Sequence, residues 1–350
     1  MGVNFPAIDG DGHILERQDE IRPYLDDPWR GRSTPLWPGV QPWDAHLSGK
    51  IKRPAGYGHK LGARQGAKEQ VDVWHRILDD HDIEQAILFT TGSGNACKLQ
   101  ERAFAAAVST AVNRHLANDY VTDRLHPVGV LPLRDPDAAA REVERAAALG
   151  LRAFEILTDG LPFGLGDPFF DPVYEAAQAA DVAICIHGSR SAAHEWGTDK
   201  LSTFAEVHCY GFPAGMLLNF TSVMAQGVPI RFPRLRLAFL EIGATWLPYY
   251  LDRLDEHWEK RHEEEMPHLG KKPSAVFRDS TIKVSIEGKE SLLRETINFV
   301  GVEHLIYATD IPHWDGEFPE NLEEIRATNV INDEEKQAIL RENAKSLYAL

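Results

Sequence analysis

Cysteine is scarce. Cys97, Cys185 and Cys209 are the only three in 350 residues, and they stand far apart with no Cys-x-x-Cys pair. That excludes a disulfide framework and fits a reduced, cytoplasmic setting. Long apolar runs are missing too. None approaches the roughly 20 residues that a membrane span requires. The first residues also lack the basic-then-apolar order of a secretion signal. The expectation is a chain that is neither secreted nor inserted in a membrane. Positive charge is short: 37 Lys and Arg face 53 Asp and Glu, a formal net charge of -16. With no basic stripe to meet phosphates, nucleic acid is excluded as a partner, which leaves a small molecule. No Gly-x-Gly-x-x-Gly follows the first apolar run, which argues against a dinucleotide-binding fold.

What is present is alternation. Short apolar runs at 5–8, 82–90, 126–131, 151–157, 182–187, 235–241, 282–286 and 305–310 read as strands, separated by segments with helical patterning. One helix spans about 99–118. Asp135-Pro136-Asp137 opens another, which closes at Gly150, and Asp171-Pro172 opens a third. Strands alternating with helices predict a parallel sheet covered on both faces. Eight strands favour an α/β fold closed as a TIM-type (β/α)₈ barrel, one domain over 1–350. The length exceeds the roughly 250 residues of a plain barrel but allows an insertion. Residues 20–75, rich in Pro, Gly and Trp (Trp29, Trp37, Trp43), break the pattern. They read as an insertion after the first strand, either a lid over the barrel mouth or a surface arm or oligomer contact. Near the end, Asn332 is placed to cap a helix with Asp333, Glu334 and Glu335 in its first turn.

Three strand ends carry metal-type ligands. The first strand runs into Asp9-Gly10-Asp11-Gly12-His13, and strand side chains alternate, so Asp11 and His13 share a side. The fifth strand ends at His187 and the eighth at Asp310. In a barrel these ends lie on the face that hosts active sites. Two imidazoles from different strands with two carboxylates suit zinc first, then manganese or iron, ahead of magnesium or calcium.

Asp11-Gly12-His13, Cys185-Ile186-His187-Gly188 and Ala308-Thr309-Asp310-Ile311-Pro312-His313 together resemble the signatures of the amidohydrolase superfamily. The stretch from Arg231-Phe232-Pro233 into Leu240-Glu241-Ile242-Gly243, with Glu342-Asn343-Ala344, is similar to the amidohydrolase-2 branch, the branch of aminocarboxymuconate semialdehyde decarboxylase. The resemblance implies one catalytic metal held by Asp11, His13, His187 and Asp310. It makes Asp310 a proton carrier as well, and His208 a candidate acid or base. It also implies an oligomer, a dimer first and a hetero-oligomer with a paralogue as the alternative.

The chain departs from the wider superfamily in three places. Its first motif is Asp-x-His, its fourth strand (Arg152-Ala153-Phe154-Glu155-Ile156) has no lysine to bridge two metals, and its sixth ends in Glu241. Glu16, Glu155 and Glu241 therefore stand as a second, oxygen-rich metal site or as groups that orient the ligands. Arg190, His313 and Trp314 are candidate substrate contacts, Arg190 for a carboxylate. Three functions follow. The first is hydrolysis or nonoxidative decarboxylation of a small carboxylated compound, with aromatic acids among the candidates. The second is a two-iron oxygenase, and the third a metal-binding barrel that serves as a non-catalytic partner subunit.

Overall fold

The computed structural model describes residues 6–38, 65–189, 196–286, 288–313 and 315–350. Nine short strands run parallel: β1 (Ala7–Ile14), β2 (Ile83–Thr90), β3 (Leu125–Pro127), β4 (Gly129–Val130), β5 (Ala153–Leu157), β6 (Ala183–His187), β7 (Arg236–Phe239), β8 (Lys283–Ile286) and β9 (Leu305–Tyr307). β3 and β4 are one barrel position interrupted at Val128, whose N–H still donates to Leu88 O at 2.9 Å. The eight expected positions are therefore present, in the order β1 to β9 around the ring. The ring closes just past β9, where Asp310 N donates to Asp11 O at 2.8 Å and His13 N to Ile311 O at 2.6 Å. This is a distorted TIM barrel.

The helices lie where capping chemistry puts them. Asp135 accepts from Ala138 N and Pro136 takes the first turn of the helix Pro136–Ala147. The helix Phe204–Ala225 starts from a capping box between Thr203 and Glu206. Asn332 caps the C-terminal helical segment through Glu335 N, and that segment continues through a π turn, Ala338–Glu342, to Tyr348.

Of the span 20–75, the part from Ala67 belongs to the helix Ala67–Asp80, whose Gln70, Val73, Trp74, Ile77 and Leu78 form one buried face. Trp74 lies against Gly12 so closely that a Cβ there would meet its ring at 2.4 Å, and its indole N–H donates to His13 O at 3.2 Å. Residues 20–38 pack on the barrel through buried Leu25 and Leu36, and Tyr24 donates to Asp119 at 2.7 Å. Trp43 lies outside the described residues.

β1 is longer than its apolar start suggests, and it is not regular. Ile8 points into the barrel, yet Ile14 points outward to the helical layer. An even spacing cannot change faces in a regular strand. The change is made by a register shift between Asp9 and Gly12 in the pairing with β2. Past the shift, odd-numbered Asp11 and His13 line the cavity at the mouth.

Candidate metal centre

The barrel interior is built in layers. At the bottom Ile8, Ile87, Val128, Ala153, Ala183, Ala238 and Ile306 pack together, sealed by Leu347 and Tyr348 of the C-terminal segment. Tyr348 OH donates to Gly10 O at 2.8 Å. Above this floor, β6 turns from Cys185 to His187, two residues on and on the same inward face.

At the mouth, two sets of ligand-type atoms each lie within 4.8 Å of one another: Asp11, His13 and His187, and His13, Glu241, Asp310 and His313. His13 belongs to both. Its Nε2 lies 3.4 Å from Asp11 Oδ1, 3.2 Å from Asp310 Oδ1 and 3.8 Å from Glu241 Oε1. His187 Nε2 lies 3.6 Å from Asp11 Oδ1. Of the four residues expected from sequence, Asp11, His13 and His187 share one set, and Asp310 meets His13 in the other, from β1, β6 and the turn after β9.

Several polar atoms here have no hydrogen-bond partner among the described residues. Both Asp11 carboxylate oxygens, both His13 nitrogens, His187 Nε2 and Glu241 Oε2 are buried without a hydrogen bond. Burying such groups unpaired costs several kcal/mol or more in total. A divalent cation is the occupant that satisfies two carboxylates and two imidazoles at once, and the donor set fits one.

Electrostatics agree. Burial, then the neighbouring His313 cation, push His13 down to about 4, so its ring is neutral and able to ligate near pH 7. Burial opposes charge on His187, but Glu241, Asp11 and Glu155 outweigh it and raise its pKa well above the usual histidine value. A site that draws a proton this way draws a metal ion by the same field. His187 Nδ1 sits 3.0 Å from Gly188 O; donation there fixes the tautomer that leaves Nε2 facing the centre. The ring also stacks on Phe89, 5.0 Å between centroids.

The remaining expected residues fall into separate places. Glu241 joins the cluster. Leu240 already faces inward, so alternation would send Glu241 out, but its left-handed backbone (φ 73°) turns it back, with its N–H donating to Ser285 Oγ at 3.0 Å. Burial pushes its carboxyl up to about 7. His313 also joins, through a turn that Asp310 opens with φ 54°. Its Nδ1 is 2.6 Å from Asp310 Oδ1. Burial disfavours its charge, but Asp310 prevails and lifts its pKa to about 10. Burial also works against the Asp310 anion, while the His313 cation bonded to it and the nearby His13 ring hold it far below the usual carboxylate range.

Glu155 points inward below the mouth, bonded by Thr90 Oγ1, and burial lifts it to about 8. It belongs to neither ligand group. Glu16 does not reach the centre. Its carboxylate accepts from the backbone N–H groups of Thr91, Gly92 and Ser93 and so ties down the turn after β2. His208 lies on the cavity wall, early in the helix Phe204–Ala225, with Nε2 3.3 Å from Asp315 Oδ2. Arg190 and Trp314 lie outside the described residues.

Asp9 was not singled out from sequence. It is fully buried and accepts from Thr309 N at 3.0 Å, Thr309 Oγ1 at 2.6 Å and Asp11 N at 3.2 Å. It clasps β1 to the end of β9 beneath both Asp11 and Asp310. Nothing local marks this role, because its partner is 300 residues away. The mouth as a whole is a cavity of about 340 Å³, walled also by Phe212, Leu157, Ser285 and Lys289.

The family model described as Amidohydrolase matches residues 9–350. A curated relative is the 2-amino-3-carboxymuconate-6-semialdehyde decarboxylase of Dictyostelium discoideum, 24% identical over 284 residues, 78% of this chain and 74% of that one. Among solved structures, an amidohydrolase from Mycobacterium avium subsp. paratuberculosis K-10 superposes with a TM-score of 0.79 at 19% identity, covering 99% of this chain and 100% of that one. A dihydroxybenzoic acid decarboxylase from Polaromonas sp. JS666, solved with manganese and the inhibitor 2-nitroresorcinol, superposes at 0.71 with 18% identity, covering 99% and 98%.

Proposed function

The chain belongs to the amidohydrolase superfamily, in its amidohydrolase-2 branch, and is a metal-dependent enzyme; from that premise we propose that it catalyses nonoxidative decarboxylation of a small aromatic carboxylic acid. The observation that carries this reading is the pairing, in one small cavity, of unpartnered buried ligands with the Asp310–His313 proton pair. The dihydroxybenzoic acid that the Polaromonas decarboxylase is named for supports the substrate class.

In this reading Asp11, His13, His187 and Asp310 hold one divalent ion, and Glu241 orients His187 from 3.3 Å or completes the shell. Manganese fits better than the zinc favoured from sequence, because Glu241 adds a third carboxylate and hard oxygen ligands suit manganese; the manganese of the Polaromonas relative points the same way. When bound, the ion polarises and holds the substrate's carboxylate and an adjacent oxygen.

The protein's part is the proton. Asp310 carries it from His313 to the ring carbon that bears the carboxylate. A C–H bond forms, the C–C bond breaks with its electron pair returning to the ring, and carbon dioxide leaves without net oxidation. His208, held by Asp315 on the cavity wall, serves as a second acid or base, and Phe212 offers a flat apolar surface to the ring. Lys289, and Arg190 beyond the described residues, are the cationic groups available to a carboxylate. The two-iron oxygenase is the less supported reading: of the three carboxylates it draws on, Glu241 falls in a ligand group, while Glu16 and Glu155 do not among the described residues.

The test is to strip the purified protein with chelator, reload it with manganese, zinc or iron, and offer a panel of hydroxybenzoates. Carbon dioxide release that depends on manganese is the expected result. Ester or lactone hydrolysis with no carbon dioxide from any acid would replace this reading with hydrolysis, and oxygen uptake would replace it with oxygenation.

A further inference from the structure

The charge that lines the cavity is mostly of one sign. Asp11, Glu241, Glu290, Asp310, Asp315 and Glu317 all border it, and Lys289 is the one Lys or Arg among its described lining residues. Lys289 makes no ion pair or hydrogen bond with any described group. An exposed lysine is usually a solvated group, free to swing. The backbone of this one is pinned on both sides. Before it, Gly288 turns with φ 95° and is pressed on Asn321, in the first turn of the helix Glu320–Ala327, where a Cβ would meet Asn321 Cβ at 2.6 Å. Asn321 is itself held, accepting from Tyr307 OH at 3.1 Å and donating to Ala308 O at 3.3 Å. After it, the Glu290 carboxylate accepts from Ala244 N and Thr245 N, each at 3.0 Å, and so ties the loop after β8 to the turn after β7. Deeper on the same wall stands Ser285 of β8, 1% exposed. Other hydroxyls of the lining give their protons to the protein: Thr90 to Glu155, Thr91 to Ile14 O at 2.8 Å and Thr309 to Asp9 at 2.6 Å. Ser285 Oγ accepts from Glu241 N at 3.0 Å and donates to no described group. A buried hydroxyl with an undonated proton is a donor open to something that enters the cavity.

We propose that Ser285 and Lys289 form a specificity subsite along the β8 wall for a second anionic group of the substrate, a carboxylate or its equivalent, besides the carboxylate that the metal holds. The inference rests on reading this cavity as the site of an acid-binding decarboxylase. Ser285 donates from the depth of the wall and the Lys289 ammonium from its rim. An oxyanion between them meets a hydroxyl donor and a cation together, and charge-assisted hydrogen bonds are the strong ones. Elsewhere a second negative charge is disfavoured, because the other charged lining among the described residues, histidines aside, is carboxylate. The subsite therefore fixes which way round the ring lies, with the leaving carboxylate on the metal and the second group against β8. The pinned turn matters for the same reason: a cation already held in place loses less freedom when the anion arrives.

The test is calorimetric titration of the full, manganese-loaded chain with benzoate, isophthalate and terephthalate. At least one of the two dicarboxylates is expected to bind about 10-fold more tightly than benzoate, the increment of one hydrogen bond to a charged group. Lys289→Ala is expected to bring that ratio to one or below, Lys289→Glu to invert it, and Lys289→Arg to keep it. Ser285→Ala is expected to lower the ratio by about 3-fold. Ser285→Thr keeps a hydroxyl and is expected to retain the ratio, which separates loss of the donor from a disturbed wall. Two dicarboxylates that bind no better than benzoate overturn the proposal. So does a preference that survives both Lys289→Ala and Lys289→Glu, because another group then reads the second charge. The titration needs no turnover. A chain that shows the Lys289-dependent preference yet releases no carbon dioxide from any acid supports the subsite and overturns the decarboxylase reading alone.

Discussion

The floor and the mouth of the barrel are made by the same strands and obey opposite rules. On β6 the inward residues run Ala183, Cys185, His187, and on β5 they run Ala153, Glu155, Leu157. Below, every inward group is apolar and packed, with Tyr348 and Leu347 as the plug. Above, within two residues, the interior holds three carboxylates and three histidines, several with no protein partner. The difference teaches where stability and function are kept. The floor is satisfied by itself, whereas the mouth is left unsatisfied so that a ligand can complete it.

The contrast can be broken most sharply at the mouth. Asp310→Asn is expected to lower kcat by about 10²–10⁴-fold, the range for loss of a positioned proton carrier, while the unfolding midpoint moves little. Stopped assays of carbon dioxide release alongside thermal melts check both halves. The mirror experiment is Leu347→Ala in the floor. It is expected to cost about 2–5 kcal/mol of stability, read by urea denaturation, with manganese content unchanged. If metal is lost as well, floor and mouth are not separable.

Thr309→Val sharpens the boundary between them. It removes the hydroxyl from Asp9 and loosens the clasp under Asp11 and Asp310. A drop in manganese affinity of roughly 10–100-fold is expected, measured by titration calorimetry, with a smaller effect on the melting of the metal-free protein. An unchanged affinity would place Asp9 and Thr309 with the floor.

The smallest effect concerns Glu155, between the two layers. Its folded pKa is raised from 4.5 to about 8, so between those values the folded chain binds a proton that the unfolded chain has released. Stability of the metal-free protein therefore falls as pH rises through that window, by at most about 1.4 kcal/mol per unit. Glu155→Gln cannot ionise and is expected to remove that component of the slope. Parallel denaturation curves for the two proteins from pH 5 to 8 would contradict this.

Much of this architecture was legible in the sequence. Apolar runs and their spacing placed all eight barrel positions, because a strand buried on both faces must be apolar along its length. His187 and Asp310 stood out because each ends such a run. The helix starts at Asp135 and Asn332 were readable because a cap is a local bond, closed within three residues. Glu16 illustrates the limit. It resembled a ligand by composition, but its oxygens belong to three backbone amides about 75 positions away. His313, expected to line the pocket or support Asp310, stands on the cavity wall and bonds that carboxylate through the turn at Asp310, a contact that only the folded turn makes.

The chain by itself determined which residue types stand at the ends of its strands, since side-chain direction along a strand repeats every two residues and needs no distant information. Only the tertiary structure decided which of them meet. The register shift in β1 that turns Asp11 and His13 inward, the left-handed backbone that returns Glu241 to the mouth, and the Asp9–Thr309 clasp all depend on contacts between segments far apart in sequence. Such contacts are set by the closure of the barrel, where the packing of the whole ring outweighs the preference of any one residue.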